Sequence, residues 1–208
     1  MKILNITLLL LSIISLTSCA SGYKTIQPKI INYLSNNADN GIKMEYKYDL
    51  LYKKYAKKEV KKGIKLVAVK ITNESDKEVM FGKDIKLTYE NGADVQILEN
   101  EKVFKTLKQS PASYLFYLLL SPVNFYTTTS SSSSNGYQES TSSFPIGLIL
   151  GPGLAGGNMI AASSANANFK SELLIYNING VVINPGETKY GLIGIDSNSY
   201  DALKIKVE

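Results

Sequence analysis

Ile64-Lys65-Leu66-Val67-Ala68-Val69-Lys70-Ile71-Thr72, followed by Asn73-Glu74-Ser75-Asp76, is the stretch on which the fold turns. In an extended chain Ile64, Leu66 and Ala68 point to one side and Val67, Val69 and Ile71 to the other. Apolar residues on both sides mark a strand covered on both faces, which places it at the centre of a sheet. The polar tetrad that follows reads as a turn. Upstream, Met44, Tyr46, Tyr48, Leu50 and Tyr52 alternate with Lys43, Glu45, Lys47 and Asp49, the pattern of a strand with one buried face.

Downstream, Val79-Met80-Phe81 is followed by Ile85, Leu87 and Tyr89, which alternate into Asn91-Gly92, with Val95, Ile97 and Leu98 returning. Asn-Gly between alternating runs signals a hairpin whose two turn positions take positive φ. Towards the C-terminus Val181-Val182-Ile183 runs into Asn184-Pro185-Gly186-Glu187, where proline presets one turn position and glycine tolerates the next. Tyr190 to Ile195 and the alternation of Leu203, Ile205 and Val207 complete a series of short strands. That spacing predicts an antiparallel β-sandwich.

The middle of the chain departs from this pattern. Glu101–Leu107 reads as a short helix, and Ser110-Pro111 as an N-cap with proline at the first helical position. The apolar run Tyr114 to Leu120 ends at Ser121-Pro122. Residues 127–143 are Thr/Ser-rich and read as an exposed low-complexity loop. A glycine-rich apolar run, Phe144 to Ala162, is expected to be kinked or broken at Pro152, and Asn166 to Tyr176 reads as a helix. The expectation is a mainly β domain over 42–208 carrying a hydrophobic helical hairpin and Ser-rich insertion at about 109–179.

The segment Lys65 to Lys77, with Asn73-Glu74-Ser75-Asp76-Lys77, resembles the strand-and-turn segment of telokin-like, immunoglobulin-like domains found on bacterial lipoproteins. Ile85-Lys86-Leu87 before Asn91-Gly92, and Ile183 to Glu187 before Gly191, stand in the matching order. The resemblance covers about 42–98 and 180–207 and implies an immunoglobulin-like antiparallel sandwich. It is one of strands and turns and contains no catalytic signature.

The N-terminus carries a second resemblance. Lys2 precedes an apolar run, Ile3 to Leu16, too short for a spanning helix, which needs roughly 20 apolar residues. Leu16-Thr17-Ser18-Cys19 then resembles the lipobox of bacterial lipoproteins. It implies a signal peptide at 1–18, a diacylglyceryl group on Cys19 and acylation of the new amine. Each buried methylene contributes about 0.8 kcal/mol, so two or three chains anchor durably. Residues 19–41 would be a lipidated tether. Cys19 is the chain's only cysteine, so no disulfide is expected. Ala20-Ser21-Gly22, without an acidic run, resembles the pattern of retention on the periplasmic side of the outer membrane.

All 23 basic residues are lysine, histidine and tryptophan are absent, and the net charge is +5. Lysine without arginine points to an AT-rich genome more than to a task. Missing histidine removes the commonest general base, the usual metal ligand and the third member of most hydrolase triads. Ser21-Gly22-Tyr23-Lys24 fits S-x-x-K but lies in the expected tether. Asp196, Ser197, Asn198 and Asp201, and separately Asp94, Glu99 and Glu101, offer oxygens without EF-hand spacing, so a polar-capped turn is expected at 196–201. Gly151-Pro152-Gly153-Leu154-Ala155-Gly156 fits G-x-G-x-x-G, with Glu172 near the acidic position, yet no second βαβ unit accompanies it. No catalytic residue, cofactor site or metal site is expected.

Two surfaces remain. The run Pro111 to Ser121 would make a helix about 16 Å long, half a bilayer. With Gly147-x-x-x-Gly151, Gly153-x-x-x-Gly157 and the aromatics Tyr114, Phe116, Tyr117, Phe125 and Tyr126, residues 111–165 read as a membrane-dipping or self-associating hairpin, or as helices packed in ordinary core. Lys53-Lys54, Lys57-Lys58 and Lys61-Lys62 recur every four residues, as a basic stripe for anionic headgroups or a solvated loop. Nucleic acid is not expected as a partner. The expected protein is a membrane-anchored, non-enzymatic envelope lipoprotein with a structural or interaction role. The alternative is a periplasmic small-molecule or lipid binding module with a Tyr- and Phe-lined pocket between insertion and sandwich.

Overall fold

The order of strands follows from which residues are apolar on one face and which on two. A computed structural model of the chain describes residues 19–133 and 136–208; the predicted signal peptide, residues 1–18, lies outside the described residues. The chain divides into two compact units: a smaller one of residues up to Gly22 with Ser110–Ser164, and a larger one of Tyr23–Gln109 with Ala165–Glu208.

In the larger unit, β1 (Ser35–Asp39) and β2 (Ile42–Lys47) form a hairpin through Asn40-Gly41, whose φ values of 46° and 78° are those of a two-residue turn matched to strand twist. The helix α1 (Lys54–Lys62) follows, ended by Gly63 at φ 64°, the left-handed C-cap glycine accepts without strain. Strand β3 (Ile64–Asn73) is next and is central, as expected: it pairs with β2 on one side and, with Val67 opposite Ile193, with β10 (Thr188–Asp196) on the other. The fully antiparallel sheet reads β1-β2-β3-β10-β6, where β6 is Ile97–Leu98.

The remaining strands of this unit pair two by two: β5 (Ile85–Tyr89) with β11 (Leu203–Val207), and β4 (Val79–Met80) with β9 (Val182–Ile183). Ile42, Met44, Val67, Val69, Ile71, Ile193 and Ile195 of the large sheet are buried with Phe81, Ile85, Leu87, Ile183, Leu203 and Ile205 in one core. The opposite face of β3, Ile64, Leu66 and Ala68, is buried with Tyr55 of α1, Val103 and Leu107 of α2 (Asn100–Leu107), and Phe169 and Leu173 of α3 (Gly147–Ile175). Among the described residues no closed barrel forms. The architecture is antiparallel β-sheet with helices on the far face of its largest sheet.

Several readings change. Ser35–Asp39, taken from its polarity as tether, is a sheet strand. Asn37 Nδ2 donates to the Leu203 carbonyl (2.8 Å), and Asn37 Oδ1 and Asp39 Oδ2 accept the N–H groups of Ile205 (2.7 Å) and Val207 (2.8 Å). Polar side chains here do the work of a ladder against β11. At Asn91-Gly92 the chain does reverse, with Val95 N–H bonded to the Leu87 carbonyl at 2.9 Å, but only Gly92 has positive φ. The expected helical hairpin insertion is not helical throughout. It consists of a 3-10 segment (Pro111–Leu120), a β-hairpin of β7 (Phe125–Ser133) with β8 (Gly136–Phe144) where a loop was expected, and the first part of α3. α3 runs through Pro152, which stands in its second turn and lacks only the N–H owed to the Leu148 carbonyl.

Candidate membrane interface around Cys19

The smaller unit is built from residues that leave it almost without charge: from Ser110 to Ser164, Glu139 is the sole ionisable acid or base of the Asp/Glu/Lys/Arg set. Its packing rests on two glycines. A Cβ on Gly147 would overlap the carbonyls of Leu120 and Ser121, and one on Gly151 would stand 3.1 Å from the Tyr117 carbonyl and 2.7 Å from Ser121 Oγ. The first turns of α3 therefore lie backbone to backbone against the end of the 3-10 segment, fixed by Gly147 N–H to the Val123 carbonyl at 2.8 Å. Of the two expected glycine pairs, this one alone packs against other parts of the chain among the described residues. Gly153 and Gly157 face open space.

That close approach turns apolar side chains outward instead of inward. Phe116 is 74% exposed and Leu119 73%, and Leu115, Leu118, Val123, Leu148, Ile149 and Leu150 are exposed with them. Phe125 and Phe144, opposite one another at the base of the β7–β8 hairpin, are exposed as well. Tyr114 is instead buried and lies parallel to the Tyr117 ring, with centroids 6.4 Å apart. Along the hairpin, Thr127 and Ser142 share a hydroxyl bond of 2.8 Å. An exposed apolar patch of this extent on an uncharged body is of the kind that marks an interaction surface.

Cys19 belongs to the same unit and is exposed. Directly after it, Ala20 N–H donates to Asn158 Oδ1 of α3 at 2.5 Å, while Asn158 Nδ2 donates to the Leu154 carbonyl at 2.7 Å. The segment that carries Cys19 is thereby held to the helix whose first turns display the apolar patch. No helix of the described residues is long and apolar enough to cross a membrane.

The larger unit holds buried polar groups that sequence reading did not find. Glu172, placed by α3, accepts from Tyr23 Oη at 2.5 Å, from Ile26 N–H at 2.9 Å and from Gln27 N–H at 3.2 Å. Burial, and then this hydrogen bond, push the Tyr23 hydroxyl far above the ordinary tyrosine range. A cleft of about 350 Å³ lies here, lined by Tyr23, Gln27, Asn168, Glu172, Ile175 and Tyr176, but its carboxylate is already engaged by the chain's own donors. Asn166 accepts from Tyr55 Oη (2.9 Å) and Gln109 N–H (2.8 Å) and donates to the Gln109 carbonyl (3.0 Å). On α1, Glu59 is buried and its Oε1 accepts the Leu66 N–H at 2.6 Å; burial raises its carboxyl to about 7. Lys65 is buried too, with Nζ 4.0 Å from the Tyr200 ring centroid.

The remaining motifs fall apart or fall elsewhere. Gly151, Gly153 and Gly156 lie inside α3, not on a strand-to-helix loop, so the dinucleotide pattern lacks its required setting. Ser21 is buried and Lys24 exposed. Ser197 and Ser199 cap the 196–201 turn through their own hydroxyls, and no metal-holding group of acidic residues occurs among the described residues. No family model, no curated protein and no solved structure matches the chain.

Proposed function

We propose that this chain is an envelope lipoprotein, held at a membrane by acyl chains on Cys19, with a structural or interaction role and no chemistry of its own. The observation that carries the reading is that one unit combines the exposed Cys19, an exposed apolar patch and a nearly uncharged sequence. The acyl chains supply the anchor, at about 0.8 kcal/mol per buried methylene. The outward Phe116, Leu119, Leu148 and Ile149 then enter the headgroup region of the same leaflet, where apolar side chains leave water without spanning the bilayer. The larger unit is read as the immunoglobulin-like sandwich, a reading supported by the core shared between the five-stranded sheet and the β5–β11 and β4–β9 pairs. Ala20-Ser21-Gly22 supports the periplasmic side of the outer membrane as the location.

Mass spectrometry of the protein from a bacterial membrane fraction tests the anchor directly. The expected N-terminal peptide begins at Cys19, with diacylglycerol on sulfur and an acylated amine. A bare thiol, or the leader still attached, would remove the proposal's basis. Cys19→Ala is expected to shift the protein out of acylated form while leaving the larger unit folded.

A further inference from the structure

We infer that the outward face of α1 is a docking surface for anionic phospholipid headgroups. The helix and its flank carry Lys53, Lys54, Lys57, Lys58, Lys61 and Lys62, and its one acid, Glu59, is buried with its carboxylate turned inward onto the Leu66 N–H. Lys70, Lys86, Lys105, Lys170, Lys189 and Lys204, which lie elsewhere, are engaged in ion pairs. Lys57, Lys58, Lys61 and Lys62 have no carboxylate partner among the described residues. Lys58 Nζ donates to the Lys108 carbonyl, which draws a further cation towards the cluster.

Burial and crowding of charge act together on the helix itself. Burial first, and then the charges of Lys62, Lys108 and Lys61, lower the Lys58 ammonium below its ordinary value. No acidic residue stands in the first turn and the N-cap residue, Lys53, makes no side-chain capping bond, so the positive helix end faces further positive charge. Such an arrangement is relieved by a plane of phosphates, which lets several lysines act at once. The chemistry favours lipid over nucleic acid: lysine is a point charge without the planar fork that reads phosphate and base edges. Exposed apolar groups also sit among the cations, with Val60 68% and Tyr52 54% exposed and Lys53 Nζ 5.1 Å from the Tyr52 centroid. Cationic heads beside small apolar contacts suit a headgroup layer, where lysine stems run along apolar surface and their heads meet phosphate.

This surface does not depend on acylation, so the test uses the full chain carrying Cys19→Ala, mixed with vesicles of phosphatidylcholine alone or of phosphatidylcholine with an equal part of phosphatidylglycerol. Co-sedimentation is expected to show at least tenfold tighter binding to the anionic vesicles, a preference lost at high salt. Lys57→Gln/Lys58→Gln/Lys61→Gln should lower the anionic affinity about a hundredfold, near fivefold per lysine, with an unchanged circular dichroism spectrum. Lys61→Gln alone, at an exposed position, should give the single fivefold step even if the triple variant folds poorly. Lys204→Gln, on β11, should change nothing. Equal affinity for both vesicles, or an anionic preference that survives the α1 substitutions, would overturn the inference. Failure here leaves the mass of the Cys19 peptide untouched, so it is separable from failure of the anchor.

Discussion

Tyr23 Oη donates to Glu172 Oε2 at 2.5 Å, and the same carboxylate takes the N–H groups of Ile26 and Gln27, so one α3 side chain fixes the segment that opens the larger unit. Only Ala20, Ser21 and Gly22 separate Cys19 from Tyr23. Each extended residue spans about 3.5 Å, which limits the reach of the chain between Cys19 and the latched tyrosine to roughly 14 Å.

Removing the carboxylate strips several charge-assisted bonds at once. Glu172→Ala should lower the unfolding free energy by about 3 kcal/mol, and Tyr23→Phe, which deletes one donor, by about 1 kcal/mol. Urea titration followed by circular dichroism reads both. If Glu172→Ala unfolds at the wild-type midpoint, the latch contributes nothing.

Asn166 grips Gln109 through its N–H and its carbonyl, and these are the positions where the larger unit's two segments end and resume. The ends are therefore neighbours, and a short Gly-Ser linker can replace residues 110–164. The shortened chain should unfold cooperatively and lose its affinity for neutral vesicles. Collapse into an aggregated or non-cooperative state would assign the insertion to the core of the larger unit. Asn166→Ala, which removes three hydrogen bonds, should cost about 2 kcal/mol by the same urea assay.

How far these features could be read beforehand depends on what each residue bonds to. The central strand β3 and its partner β10 were legible because apolar side chains on both faces leave no other place for them. β1 was not, since Ser35-Asn36-Asn37-Ala38-Asp39 has no apolar pattern and its polar side chains bond to β11 backbone. Asn40-Gly41 was the signal that could have found it, because that pair and not Asn91-Gly92 forms the turn with both φ values positive. The Ser/Thr run escaped for a related reason: its hairpin register is carried by backbone pairing and hydroxyl pairs such as Thr127 with Ser142. Glu172 and Glu59 look like surface acids in sequence, and only the fold supplies the N–H groups that make their burial tolerable. Cys19 alone was evident from its neighbours as a candidate site.

Glu59 makes stability depend on pH. Its carboxyl rises from 4.5 to about 7 on folding, chiefly through burial. The folded state thus binds the proton more tightly than the unfolded one. The resulting stabilisation is complete below about pH 4.5 and disappears as pH climbs through 7, a difference of about 3 kcal/mol. Glu59→Gln keeps an oxygen for the Leu66 N–H and cannot ionise. Between pH 5 and pH 8 the variant's unfolding free energy should decline less than the wild type's by roughly that amount. Parallel curves for the two proteins would show that Glu59 does not titrate in this range.

The glycines of α3 separate packing within the chain from any other use. At Gly147 an added methyl would meet the Leu120 and Ser121 carbonyls and stand 2.8 Å from Val123 N, all backbone atoms that cannot swing aside. Gly151 has the Tyr117 carbonyl and Ser121 N against it at 3.1 and 3.2 Å. Gly147→Ala should therefore cost about 1–3 kcal/mol and open the bond after Tyr117 to chymotrypsin. Gly153→Ala and Gly157→Ala meet nothing within 4 Å and stand in helix, so removing backbone freedom should stabilise by about 0.5–1 kcal/mol each. Proteolysis rates and thermal unfolding, measured for all three variants, decide the matter. Should Gly153→Ala behave like Gly147→Ala, the open face of α3 is covered by a partner in solution. Should Gly147→Ala be harmless, the backbone contact that turns Phe116 and Leu119 outward does not hold the smaller unit together.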